Sequence, residues 1–231
     1  FCRNPLKHFL YSTIMRPRAI LFDLDGTLID QFQAIHRAFS LTLSSMGYPE
    51  PSFETVKRAV GGASDTTMQK LIGPERAEEA VQILRPIFEK EMFDGLIALP
   101  GSNHILKWCK QNDIHTAVLT NKYGPHARAA CKHLGFDQFL KFTLGVNDTA
   151  WKKPDTRLTH FALNKLGFTP QETIYVGDSP YDYKTAKNAS MECILLPTGT
   201  HGVDELLSLG STIIVKENLS QLLESLKTLS P

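Results

Sequence analysis

The segment AILFDLDGTLID, residues 19–30, ends an apolar run with two closely spaced acids. Residues 19–22 are typical of a buried β-strand, and Asp23 and Asp25 follow with one leucine between them. Because side chains alternate along a strand, we expect both carboxylates to lean to the same side. Two unit charges about 4 Å apart repel by about 4 kcal/mol at an effective dielectric constant of about 20. The pattern therefore predicts a cation beside the two carboxylates or a proton on one of them.

The composition is that of an ordinary globular protein, with 231 residues, of which 21% are charged and 42% hydrophobic. A formal net charge of +1 gives no electrostatic reason to expect nucleic acid or a membrane surface as a partner. The four cysteines are scattered without a CxxC pair, and the histidines form no zinc motif. We therefore expect a cytoplasmic protein with reduced thiols, either a monomer or a homodimer.

Three regions differ in their patterning. Residues 1–14 are basic and contain no acid, and we interpret them as an extension ahead of Met15 rather than as an organelle-targeting segment. Residues 34–97 show helical stripes and no clear strand, which predicts an inserted all-helical unit whose last helix Pro86 kinks or splits. Residues 15–33 and 98–231 alternate strands with helices, which predicts an α/β core with a parallel sheet. After the first strand, the predicted strands are 115–119, 139–144, 173–176, 193–196 and 212–215.

Polar residues stand at the ends of these strands or in the loops that follow them. Thr120 and Asn121 follow the second strand, Lys153 lies in a later loop, and Asp178 follows the strand at 173–176. In open parallel sheets ligands bind outside the carboxyl ends of the strands. We therefore expect these groups to converge with Asp23 and Asp25 on one crevice.

The four acids Asp23, Asp25, Asp178 and Asp182 form a predicted negative pocket without a histidine to neutralise it. Oxygen ligands of this kind suit Mg²⁺ bound beside a substrate phosphate. Lys153 and the Thr120 hydroxyl complete a setting suited to a phosphoryl group.

Phosphoryl transfer in such a pocket gives the first two acids separate tasks. Asp23 can attack phosphorus, Asp25 can act as acid and base, and Gly26 suits a tight turn that brings backbone amides to the phosphate. Each motif alone is more often an ordinary turn or strand end. Four of them in this order are a much stronger signal.

These motifs carry a family resemblance. DLDGT at 23–27, Thr120-Asn121-Lys122, Lys153-Pro154 and GDSPYD at 177–182 resemble the four motifs of the haloacid dehalogenase superfamily. The helical insert after the first motif resembles the small cap of the phosphoglycolate phosphatase-like branch. The resemblance implies a Rossmann-like, doubly wound catalytic core, a mobile helical cap, and a Mg²⁺-dependent phosphatase acting on a small phosphorylated metabolite.

The resemblance also implies roles for individual residues. Asp23 is expected to be nucleophile and metal ligand, and Asp25 acid and base with its backbone carbonyl on the metal. Asp178 is expected to bind the metal with support from Asp182. Thr120, with Asn121 and Gly26, is expected to bind the phosphoryl oxygens, and Lys153 to steady the phosphate and the nucleophile; Lys152 beside it leaves a slight ambiguity.

Substrate choice is expected to reside in the cap. The turn that contains Gly61, Gly62 and Ser64 is a candidate loop reaching the active site, and a plain helix connector is an equally good interpretation. Gln31 stands where relatives often carry serine. A phosphosugar mutase and an inorganic pyrophosphatase of the same family remain open as alternatives, as does a non-enzymatic phospho-receiver module.

Overall fold

The computed structural model describes residues 16–229, so the predicted extension, residues 1–14, and Met15 lie outside the described part. The strands within it are β1 Ala19–Phe22, β2 Ile29–Asp30, β3 Ile97–Ala98, β4 His115–Tyr123, β5 Leu140–Val146, β6 Thr173–Gly177, β7 Glu192–Leu195 and β8 Ile214–Val215. The helices are α1 Phe32–Ser45, α2 Phe53–Ala59, α3 Ser64–Ile72, α4 Ala77–Glu91, α5 Ser102–Gln111, α6 Gly124–His133, α7 Thr156–Leu166, α8 Pro180–Asn188, α9 Val203–Leu207 and α10 Leu219–Lys227. None of these helices has the length and apolar character needed to span a bilayer.

Six strands form one parallel sheet in the order β5-β4-β1-β6-β7-β8. Alternation along β1 sends Ile20 and Phe22 into the apolar cluster shared with α5, α6 and α10. Ala19 and Leu21 join the opposite cluster, which contains side chains of α7 and α8. Helices therefore cover both faces of the sheet, and the predicted α/β fold with a doubly wound parallel sheet is confirmed.

Four helices, α1 to α4, lie between the short strands β2 and β3. These two strands pair antiparallel, with Ile29 opposite Ala98 and Asp30 opposite Ile97, so the chain leaves and re-enters the core at one place. The prediction that residues 34–97 contain no strand is wrong at the last residue. A two-residue strand is too short to show the alternation by which a strand is recognised.

Two further local predictions need correction. Helix α4 runs without interruption from Ala77 to Glu91, so of the two alternatives, a kink or a split at Pro86, the split is wrong. Pro86 is exposed, and water can satisfy the carbonyl that loses its helical partner. Strand β4 continues to Tyr123, beyond the predicted end at 119. Its polar end still pairs with β5 after a shift in register, with Leu119 opposite Leu144 and Tyr123 opposite Val146.

Candidate active site

Asp23 is a buried acid at the end of the central strand. Its backbone N–H donates to the Val176 carbonyl of β6 at 2.8 Å, which fixes it at the edge of the sheet. Its Oδ1 accepts a hydrogen bond from Lys153 Nζ at 2.8 Å, whereas Oδ2 accepts none from the described residues. Burial raises the pKa of Asp23 to about 6, with Lys153 lowering it and Asp182 raising it further. The carboxylate therefore has a free oxygen and too little positive charge around it.

Lys153 is the buried cation of the site, with a side chain only 1% exposed. Its Nζ contacts Asp23 Oδ1 and Asp182 Oδ1 at 2.8 Å each and donates to the Tyr175 hydroxyl at 3.1 Å. Burial alone lowers the pKa of Lys153, but the attraction of Asp182 and Asp23 outweighs it and raises the pKa well above its ordinary value. The neighbouring Lys152 pairs instead with Asp65 on α3, at 2.8 Å.

Asp182, near the start of α8, is fully buried and already occupied by hydrogen bonds. Its Oδ2 accepts from the backbone N–H of Asp178 and from both the N–H and the hydroxyl of Ser179, at 2.6 to 3.1 Å. Its Oδ1 accepts from Lys153 and, at 3.3 Å, from the Tyr175 hydroxyl. These bonds hold the turn after β6 and the lysine in place, which is a positioning task.

Asp178 follows β6 and lines the same cavity as Asp23. Its Oδ2 accepts from Thr200 through the backbone N–H at 2.8 Å and the hydroxyl at 3.1 Å, whereas Oδ1 accepts none from the described residues. Burial raises the pKa of Asp178 well above its ordinary value, and the nearby Asp182 and Asp23 add to the rise. A Cβ added at Gly199 would overlap this carboxylate, so only glycine leaves room for it.

Asp25 has a lysine of its own. Lys122, near the end of β4, places Nζ 3.1 and 3.2 Å from the two carboxylate oxygens, and both side chains are nearly buried. The same ammonium group lies 4.6 Å from the centre of the Phe88 ring of α4. The repulsion expected between Asp23 and Asp25 is therefore reduced by two separate lysines, one for each carboxylate.

The structure gives Thr120, Asn121 and Gly26 different surroundings. Thr120 is buried, lines the cavity and accepts a 3.2 Å hydrogen bond from the Lys122 N–H. The Asn121 side chain instead bonds the Lys153 backbone, accepting from its N–H at 2.9 Å and donating to its carbonyl at 3.2 Å. Gly26 has φ +82°, a turn that other residues rarely adopt, and its carbonyl accepts from Thr198.

Helical-insert residues close the site into a cavity of about 490 Å³. Gly61, Gly62 and Ser64 all line it, together with the acids at 23, 25 and 178 and with Thr120. Asn121 Nδ2 donates to the Gly61 carbonyl at 3.2 Å, and Tyr181 packs under both glycines. The loop therefore forms part of the cavity wall in this structure.

The donor set suits a hard divalent cation. Asp23, Asp178 and Asp182 each offer a carboxylate oxygen within 4.8 Å of the others, and all three are buried. Asp182 accepts hydrogen bonds through both oxygens, so Asp23 and Asp178 are the acids with capacity left for a ligand. The raised pKa values of Asp23 and Asp178 indicate a place that lacks positive charge. Oxygen donors in such a place fit Mg²⁺.

Sequence reasoning assigned no role to Lys122, Tyr175 or Thr200. Lys122 stands two residues after Thr120, so a longer predicted β4 would have placed both side chains on one side of the strand. Tyr175 alternates with Ile174 and Val176 in β6 and looks like an ordinary core residue. Thr200 lies in a loop before α9 with no motif around it, and only the folded structure shows its contact with Asp178.

The chain is similar to known proteins over most of its length. A family model described as haloacid dehalogenase-like hydrolase matches residues 20–196. A phosphoglycolate phosphatase of Pseudomonas putida is 28% identical over 196 residues, which cover 80% of this chain and 72% of the relative. A phosphoglycolate phosphatase of Yersinia pestis is 29% identical over 189 residues, covering 79% and 82%.

Solved structures show the same fold. A haloacid dehalogenase-like family hydrolase from Streptococcus pneumoniae superposes with a TM-score of 0.79 at 24% identity, covering 90% of this chain and 97% of that one. A hydrolase from Pseudomonas syringae gives a TM-score of 0.76 at 24% identity, covering 92% and 99%.

Proposed function

This chain belongs to the haloacid dehalogenase-like hydrolase family, and we propose that it is a Mg²⁺-dependent phosphatase that forms an aspartyl-phosphate on Asp23. One observation carries the proposal. The buried Asp23 carboxylate is held by Lys153 through one oxygen, and its other oxygen is left without a donor from the described residues in the cavity that also contains Asp25 and Thr120. A fixed, ionisable carboxylate with one free oxygen is suited to attack phosphorus.

We propose that Asp23 and Asp178 hold the metal with the backbone carbonyl of Asp25, and that Asp182 supports them. When bound, Mg²⁺ would offset the negative charge that gathers between the carboxylates and a phosphoryl group. Lys153, whose Nζ lies 2.8 Å from Asp23 Oδ1, contributes a second fixed positive charge. The Thr120 hydroxyl and nearby backbone N–H groups would bind phosphoryl oxygens.

The reaction divides into two displacements. Asp23 forms a bond to phosphorus while the bond to the ester oxygen breaks, and Asp25 gives that oxygen its proton. Asp25 then takes a proton from the water that attacks the aspartyl-phosphate, which releases inorganic phosphate and restores Asp23. Lys122, within 3.2 Å of both Asp25 oxygens, orients the acid for both steps.

We propose that residues 34–97 act as a cap over a core formed by residues 15–33 and 98–231. Gly61, Gly62 and Ser64 would meet the substrate, and closure would exclude water from the aspartyl-phosphate. A cavity of about 490 Å³ fits a small metabolite better than a protein segment. The relatives from Pseudomonas putida and Yersinia pestis are phosphoglycolate phosphatases, and a phosphomonoester of that size is the substrate class we propose.

The test measures phosphate release from small phosphomonoesters and pyrophosphate, with Mg²⁺ and with EDTA. We expect Mg²⁺-dependent turnover that falls by about 10⁴-fold or more in Asp23→Asn, because the nucleophile is removed. Turnover that survives either EDTA or the substitution would exclude this mechanism. Isomerised sugar phosphate without released phosphate would indicate a mutase, and a lasting phosphoprotein without turnover would indicate a receiver.

A further inference from the structure

Arg85 is a cationic side chain of the cavity wall whose charge is not neutralised by the described residues. It belongs to α4 and lines the cavity, yet its guanidinium makes no ion pair or hydrogen bond with any residue in the range 16–229. Lys122, also in the wall, has Asp25 at 3.1 Å. Arg85 is therefore available to a ligand in a way that Lys122 is not.

The acids nearest to Arg85 along its helix do not pair with it. Glu89, four residues further on, is the usual helical partner, but its Oε1 lies 3.3 Å from His126 Nε2 instead. Glu78, two turns earlier, is exposed and forms no ion pair with Arg85. Asp65, across the cavity, pairs with Lys152 at 2.8 Å. Glu78 lines the cavity together with the reaction-centre acids Asp23, Asp25 and Asp178, and none of the described acids forms an ion pair with Arg85.

Arg85 has a defined position relative to the reaction centre. Its guanidinium carbon lies 4.6 Å from the centre of the Tyr123 ring, a stacking contact that limits where the group can point. Phe88, one turn later on α4, covers Lys122, which in turn contacts Asp25. Arg85 therefore lines the same cavity as Asp25, one helical turn along α4 from the ring that covers the lysine of that acid.

We propose that Arg85 binds a carboxylate at the end of the substrate opposite the phosphoryl group, so that the enzyme prefers small phosphomonoesters that also carry an acid. This inference rests on the proposed phosphatase activity. A guanidinium can donate two parallel N–H···O hydrogen bonds to a carboxylate. Because it is weakly hydrated, the free-energy cost of removing its water on binding is small. A neutral end group would leave the charge of Arg85 unpaired when the cavity closes.

The experiment compares 2-phosphoglycolate with 2-hydroxyethyl phosphate, a neutral ester of similar size, using the purified chain with Mg²⁺. The measured quantity is the ratio of the two kcat/KM values. We expect Arg85→Gln to lower this ratio by at least about tenfold, mainly through the KM for phosphoglycolate, and Arg85→Lys to give an intermediate ratio. Lys90→Gln, an exposed position on the same helix outside the cavity wall, is the matched control and should keep the wild-type ratio.

A second measurement does not depend on turnover. Phosphoglycolate is titrated into Asp23→Asn and into Asp23→Asn/Arg85→Gln, and we expect binding at least about tenfold weaker in the double variant. A wild-type ratio near one, an equal fall for both esters in Arg85→Gln, or equal binding by the two titrated proteins would overturn the role of Arg85. If the wild-type chain hydrolyses neither ester, the proposed phosphatase fails, and the titration still decides whether Arg85 binds the carboxylate.

Discussion

Two sets of charged contacts in this molecule differ in solvent exposure: those within the reaction centre are buried, and those between the helical insert and the core are exposed. In the centre, Lys153 and Asp182 are at most 1% exposed and share a network of hydrogen bonds with Asp23 and Tyr175. Across the closing contact, the pair of Arg58 with Glu205 is 52% and 45% exposed, and that of Lys152 with Asp65 is 46% and 45% exposed. Buried charges depend strongly on their partners, whereas exposed pairs contribute little.

This difference separates two requirements of the proposed reaction. The groups that react must keep their geometry between turnovers, and a buried network with few free atoms does that. The insert must open for the substrate and close behind it, and exposed ion pairs can break and reform because water replaces each partner at little loss. Substitutions on the two sides should therefore differ in the size of their effects and in what they change.

The largest effect is expected from Lys153→Met. It removes the only described cation in contact with Asp23 and Asp182 and leaves two buried carboxylates without a compensating positive charge. We expect the metal-free protein to lose about 3–5 kcal/mol of unfolding free energy and phosphatase activity to disappear. Urea unfolding followed by circular dichroism measures the first, and phosphate release the second.

Lys152→Met is the matched control for that measurement, since it removes the adjacent lysine from an exposed pair. We expect its unfolding free energy to change by about 1 kcal/mol or less. Equal destabilisation by the two substitutions would contradict the contrast between the buried network and the exposed contacts.

A smaller effect, confined to the Mg²⁺ requirement of the reaction, is expected from Gly199→Ala. The added methyl group would overlap the Asp178 carboxylate, most closely at Oδ2, and would force that carboxylate out of its present position. We expect the Mg²⁺ concentration for half-maximal activity to rise by about 10- to 100-fold, because Asp178, a proposed metal ligand, is displaced by a change in the residue packed against it. A Mg²⁺ titration of phosphate release provides the measurement.

Gly202→Ala serves as the control, since a Cβ there comes no closer than 3.6 Å to Glu205 Oε2, and it should keep the wild-type Mg²⁺ requirement. An unchanged requirement in Gly199→Ala would mean that Asp178 is not held where the metal is proposed to bind.

The sequence predicted the parallel sheet because strand and helix patterns alternate over long segments with clear periods. β1 and β6 appear within one residue of their predicted limits. Elements without a clear period were missed. β2 and β3 have only two residues each, and the polar residues at the end of β4 are typical of a turn. A strand of two residues contains only one period of the alternation, so periodicity cannot reveal it.

For the site, the sequence pointed to polar side chains because each one follows a predicted strand or lies in the loop after it. The sequence could not show which of these side chains form ion pairs or hydrogen bonds with one another. Several contacts join segments that meet only after folding. Asp25 pairs with Lys122, Asp182 accepts hydrogen bonds through both oxygens, and Thr200 donates hydrogen bonds to Asp178. The roles of Asp23 and Asp178 at a metal therefore remain predictions for the experiments proposed here.

The smallest effect is expected from Arg58→Ala, on the exposed side of the comparison. Arg58 Nη1 lies 2.9 Å from the Thr200 carbonyl and 2.9 Å from Glu205 Oε1, so it ties α2 to the loop that also holds Asp178. We expect KM to rise by at most about fivefold, because the pair is exposed and the Asp65 contact still closes the insert. The rise should shrink at high salt, which weakens the pair in the wild-type protein as well. A fall in kcat of about a hundredfold with KM unchanged would show that this contact shapes the reaction centre itself, and the separation between a rigid centre and a loosely held insert would then be wrong.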